Sequence, residues 1–113
     1  MSAITTHVLD TARGRPAAGV AVVLEEQQEG SWREIGRGVT DDDGRVKALL
    51  APGTLLTAGV HRLTFATGPY FADQMLATFY PEVKVVFEIT DPAQHHHVPL
   101  LLSPFGYSTY RGS

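Results

Sequence analysis

With 113 residues the chain has room for a single domain spanning 1–113, and a chain of this size buries only about two-thirds of the surface its unfolded form exposes, so association of subunits is expected from the outset. A formal net charge of -3 without any Lys/Arg cluster excludes nucleic acid and anionic membrane as principal partners, because both attract basic patches. Cysteine is absent, which rules out disulfides and thiolate metal sites, and no apolar run approaches the roughly twenty residues of a bilayer span, so a soluble, cytoplasmic protein is expected.

The first β-prone run covers residues 5–9 and carries His7. Arg13-Gly14-Arg15-Pro16 follows as a turn, and further runs occupy 20–25 and 32–39. Asp41-Asp42-Asp43-Gly44 then predicts a turn with Gly44 left-handed; its spacing lacks the alternating ligands and closing Glu of a calcium loop. Arg45 leads directly into a run at 46–50, and another lies at 60–66. Residues 69–79 form the one helix candidate, with Pro69 in the first turn and Phe71, Met75, Leu76 and Phe79 near one face. Runs at 83–90, 97–102 and 105–110 complete the series. Such short strands separated by frequent turns predict an all-β, antiparallel sandwich or barrel with no internal domain boundary.

The strand opening at His95 places His95, His97 and Leu101 on one face and His96, Val98, Leu100 and Leu102 on the other. Both faces carry apolar residues. With so few helices available, the cover for the second face is expected to be another subunit, which puts His95 and His97 near an interface.

Taken singly, His7, His95, His97 and Arg45 each have an ordinary structural reading, and His61 and His96 receive only that one. If the first four converge, they supply a base that works near neutral pH and a fixed cation for a developing oxyanion. A zinc site built from His7, His95 and His97 is the weaker alternative. No Asp or Glu stands beside the histidines to orient their rings, so any zinc there is expected to be adventitious. No nucleophile elbow, phosphate-cradling loop or dinucleotide fingerprint occurs.

Several segments match a known pattern in order along nearly the whole chain: Thr6-His7-Val8-Leu9-Asp10, Gly14-Arg15-Pro16-Ala17, Thr40 through Arg45, His97-Val98-Pro99-Leu100-Leu101-Leu102-Ser103-Pro104, and Tyr110-Arg111-Gly112-Ser113. The chain thereby resembles the transthyretin-like family, and its 5-hydroxyisourate hydrolase branch more than the hormone carriers. Tyr110-Arg111-Gly112-Ser113 is similar to the ending that marks the hydrolases. The resemblance implies a transthyretin-like (prealbumin) sandwich of two four-stranded sheets with one short helix. It also implies a homotetramer, a dimer of dimers with active sites at the subunit interface. By motif match, His7, Arg45 and His97 fall on catalytic positions, while His7 and Arg45 together with His95, Tyr110, Arg111 and Ser113 fall on the substrate pocket. His96 departs from the family's usual Tyr and should face away from His95 and His97, altering packing rather than activity. The implied reaction is hydrolysis of a cyclic amide C–N bond, opening 5-hydroxyisourate to 2-oxo-4-hydroxy-4-carboxy-5-ureidoimidazoline without metal or cofactor. His7 and His97 would position and deprotonate the water and Arg45 would steady the oxyanion; which histidine is the base stays open. The rival is a non-enzymatic carrier of an aromatic small molecule.

Overall fold

Burial alternates residue by residue along the first strand, β1 (Ile4–Asp10), where Ile4, Thr6, Val8 and Asp10 are buried and Thr5, His7 and Leu9 are only partly covered. Such period-two alternation is what a strand packed on one face produces. The computed structural model describes residues 3–113. After β1 come β2 (Arg15–Pro16), β3 (Ala21–Gln28), β4 (Ser31–Val39), β5 (Gly59–Phe65), α1 (Thr67–Ala72), β6 (Val83–Ile89), β7 (His96–Ser103) and β8 (Gly106–Thr109). They form two four-stranded sheets, β2-β1-β7-β8 and β4-β3-β5-β6. The apolar faces of the two sheets meet in one core that includes Val8, Leu24, Leu63, Phe65 and Leu100, as the alternation in each strand requires. Among the described residues no helix is long and apolar enough to cross a membrane.

The pairing that matters most for function joins β1 to β7 in parallel, with Thr5 opposite His97 and His7 opposite Pro99; the other strand pairs are antiparallel. In β7, His96, Val98, Leu100 and Leu102 are buried, while His97 and Leu101 point to the outer side of the sheet and are partly covered. His96 therefore faces away from His97, as expected. Its Nδ1 has no hydrogen-bond partner, and burial pushes its pKa below the ordinary imidazole value of 6.5.

The parallel β1–β7 pair departs from the antiparallel arrangement expected throughout, and three further expectations are corrected. Residues 46–50 are not a strand: Arg45 and Leu50 make only isolated bridges, to His7 and Gly36. Val46 and Leu49 bury their side chains beneath this crossing segment, so its apolar character reflects packing rather than a ladder. The eighth strand is instead Arg15–Pro16, which the turn chemistry had concealed; it pairs with Leu9 and Asp10 at a sheet edge, where proline is tolerated. The helix stops at Ala72, and Met75 is 94% exposed and Phe79 71% exposed, so of the proposed face only Phe71 is fully buried. Met75 adopts φ 59, its N–H donates to the Ala72 carbonyl and the Leu76 N–H donates to the Phe71 carbonyl. This is the closing pattern of a helix that ends on a left-handed residue, here without the usual glycine.

The short helix is clasped to β1 through Asp10, which is 1% exposed. Its Oδ1 accepts the Arg13 N–H at 3.0 Å and its Oδ2 accepts the Tyr70 hydroxyl at 2.6 Å. Asp10→Ala strands both donors and should lower stability by about 1–3 kcal/mol, measured by urea denaturation, with Tyr70→Phe costing less because the carboxylate keeps the Arg13 amide.

Candidate active site

Parallel pairing of β1 and β7 brings Thr5 and His97 side by side on the outer face of their sheet, and there the Thr5 hydroxyl sits 2.8 Å from His97 Nδ1. The same oxygen lies 3.0 Å from Nε2 of His95, the residue just ahead of β7. Two imidazoles separated by one residue along the chain are thus tied through one hydroxyl.

Arg45 arrives by a different route. The turn before it is closed by Asp41, whose Oδ1 accepts the N–H groups of Asp43 at 2.9 Å and Arg45 at 3.0 Å. Those bonds, led by the one from Arg45, hold the Asp41 carboxyl below its usual range. Gly44 is left-handed at φ +76, as expected, and its carbonyl accepts the Val8 N–H at 2.8 Å, which docks the turn on β1. Arg45 consequently bridges His7.

The segment after β8 supplies the remaining wall. The Gly112 N–H donates to the His97 carbonyl at 2.8 Å, and a Cβ at Gly112 would stand 2.5 Å from His97 Cδ2. Only glycine lets the backbone lie this close to the ring. Thr5, Arg45, Lys47, His95, His97 and Ser113 then line an open groove of about 530 Å³.

Of the residues expected from sequence, His95, His97, Arg45 and Ser113 share this groove and His7 adjoins it through Arg45. Tyr110 and Arg111 do not: they line a second cavity of about 280 Å³ between β6 and the start of β7, which His97 also borders. There Arg111 Nη2 donates to Gln94 Oε1 at 3.1 Å. Among the described residues no three His, Asp or Glu side chains gather closely enough to hold a metal ion. Thr5 and Lys47 were not anticipated. For Thr5 the available signal was alternation, since it lies two residues from His7 on β1; Lys47 lies outside any strand and carried no such signal.

Burial is the main cause that pushes the His97 pKa below 6.5, followed by the positive charge of Arg45 and the neighbouring His7 and His95; a hydrogen bond accepted from the ring by the Thr5 backbone carbonyl works the other way. A ring kept neutral near a guanidinium can accept a proton while the cation faces whatever negative charge results.

Residues 4–112 match the HIUase/Transthyretin family. The chain is 49% identical over 110 residues to the 5-hydroxyisourate hydrolase of Salmonella typhimurium, covering 97% of this chain and 80% of that one. It is 46% identical over 114 residues to the 5-hydroxyisourate hydrolase of Mus musculus, covering 99% and 96%. Among solved structures it is similar to sea bream transthyretin in complex with thyroxine, with a TM-score of 0.90 at 33% identity over 98% of this chain and 95% of that one. It is also similar to Klebsiella pneumoniae 5-hydroxyisourate hydrolase, with a TM-score of 0.81 at 38% identity over 97% and 98%. In sequence and backbone alike, the chain belongs to the HIUase/Transthyretin family.

Proposed function

We propose that this chain is a hydrolase that opens the six-membered ring of 5-hydroxyisourate to give 2-oxo-4-hydroxy-4-carboxy-5-ureidoimidazoline. The observation that carries this reading is that His97, whose pKa is lowered first by burial and then by the charge of Arg45, lines one groove together with that arginine. A backbone shared by carriers and hydrolases does not decide between them, so the site has to.

Water enters the groove next to His97 and gives up a proton to the ring as its oxygen attacks the substrate carbonyl. The negative charge that builds on the carbonyl oxygen faces Arg45. Collapse of the tetrahedral intermediate breaks the ring C–N bond, and the proton held by His97 passes to the departing nitrogen, so protons and electrons balance. His7, fixed next to Arg45, positions the water. His95, Ser113, Tyr110 and Arg111 meet the substrate's N–H and C=O groups. General-base assistance of this kind is worth about 10²–10⁴-fold and fixed electrostatic stabilisation a comparable factor, which suits a labile substrate and calls for no cofactor.

The working form is a homotetramer, a dimer of dimers, with each site closed at a subunit interface. The open groove, the exposed Arg45 and Lys47 and the partly covered outer face at Leu101 support that assembly. It also gives Tyr110 and Arg111 a route to the substrate that they lack in a single chain. A carrier of an aromatic molecule is the second reading, favoured by the likeness to the thyroxine complex. Against it stand two cations and two imidazoles on the groove wall, which an apolar ligand would have to desolvate without compensation.

Generating 5-hydroxyisourate in situ with urate oxidase and following its ultraviolet absorbance tests the proposal. Decay well above the spontaneous rate supports the hydrolase; unchanged decay with a folded tetramer supports the carrier. The pH profile follows from the lowered His97 pKa. Only the neutral ring accepts a proton, and a pKa below 6.5 extends the neutral form to more acidic solution. Activity should therefore be flat through neutrality and fall with a single-proton slope only below about pH 6.5.

A further inference from the structure

Thr5 places one hydroxyl between two imidazoles, 2.8 Å from His97 Nδ1 and 3.0 Å from His95 Nε2. That hydroxyl has a single proton, so it donates to one ring and accepts from the other. The two arrangements differ in what they leave on His97. If Thr5 donates to His97 Nδ1, the ring proton sits on Nε2 and the nitrogen remaining for the groove is no base. If Thr5 donates to His95 Nε2 instead, His97 keeps its proton on Nδ1, gives it to the Thr5 oxygen, and leaves the Nε2 lone pair available for water.

Resting on the hydrolase reading, we propose that Thr5 is a positioning residue that selects the second arrangement, so that His97 is the base and His95 orients it through the Thr5 hydroxyl. Two features of the fold support it. His97 Nδ1 is the ring nitrogen that faces Thr5, and the influence of the Thr5 backbone raises the ring's pKa, as a carbonyl facing an N–H does, which favours the proton on that nitrogen. Parallel register sets Thr5 directly opposite His97, so the contact is built into the sheet rather than into a loose side chain. The arrangement also serves the reaction: once His97 has taken the water proton at Nε2, both its N–H groups have acceptors, one on Thr5 and one on the substrate. Orientation of a functional imidazole through its second nitrogen is a general device, and removal of the orienting group typically costs about 10–100-fold.

Thr5→Val keeps the β-branched shape and removes the hydroxyl; Thr5→Ser restores it. Three readouts decide the matter: steady-state kinetics on 5-hydroxyisourate, thermal unfolding, and ¹⁵N spectra of the histidine rings in the substrate-free protein. The expected result is a kcat reduced about 10–100-fold in Thr5→Val with KM within about threefold, most of the rate regained in Thr5→Ser, and His97 protonated at Nδ1 in the parent chain but mixed in Thr5→Val. Thr5→Val turning over within threefold of the parent chain, or a parent spectrum with the His97 proton on Nε2, would overturn the proposal. A loss of rate explained by a lowered unfolding temperature, with the His97 tautomer unchanged, would overturn it as well. If the parent chain fails to accelerate 5-hydroxyisourate decay, the hydrolase reading falls, and the ring spectra still decide for or against the hydroxyl's part.

Discussion

His97→Asn is expected to lower kcat/KM for 5-hydroxyisourate by about 10²–10⁴-fold, and Arg45→Ala by about 10²–10³-fold, each with the fold and assembly intact. Asparagine at position 97 keeps a polar group near Thr5 but provides no nitrogen that accepts a proton near neutral pH. His97 lies on the outer face of β7 and only partly covered, so the substitution leaves the core between the sheets untouched. Arg45 is exposed and held by backbone contacts of its turn, not by its side chain, so alanine there removes the cation without unseating the chain. The two losses should not add in the double variant, because both act on one transition state. Steady-state rates from ultraviolet decay, with size-exclusion chromatography to verify assembly, check this. Near-normal rates in either single variant would remove that residue from the mechanism.

Gly44→Ala should cost both stability and activity, for a reason confined to the backbone. At φ +76 an alanine is strained by about 1–3 kcal/mol wherever it stands. Here its Cβ would also come within 2.4 Å of the Val8 carbonyl oxygen and 3.3 Å of His7 Cδ2. Neither β1 nor the turn can yield without giving up the Val8 N–H to Gly44 carbonyl bond, so the turn lifts and carries Arg45 away from His7. Gly53→Ala is the matched control. Gly53 has φ +77 with nothing within 4 Å of the added Cβ, so it suffers the strain alone and keeps its activity. Urea denaturation and kcat/KM for the pair separate collision from strain. Equal stability and equal rates in the two variants would show that the docked turn does not hold Arg45 in place.

Much of the strand content was legible because burial on one face forces a period of two. The alternation at β7 correctly sent His96 inward and His97 outward. Apolar character alone was misleading in residues 46–50, since a segment that crosses between sheets buries Val46 and Leu49 without joining a ladder. Arg15–Pro16 erred in the opposite direction: turn-forming residues still pair when a hairpin folds them against a sheet edge. The helical pattern ran past Ala72 because its stop at Met75 carries no glycine and leaves no compositional mark.

By itself the sequence determined a chain of short strands, the opposite faces of the strand that follows His95, the left-handed turn at Gly44, and a set of histidines and one arginine suited to acid–base chemistry. These are local properties, set by side-chain alternation and by the φ angles that glycine and proline permit. The tertiary structure alone decided that β1 runs parallel to β7 with Thr5 opposite His97, that the Gly44 turn delivers Arg45 to His7, and that Gly112 lies over the His97 ring. Each of those contacts joins residues far apart in the chain. Their register comes from the packing of the two sheets around a common core, and no local periodicity encodes it.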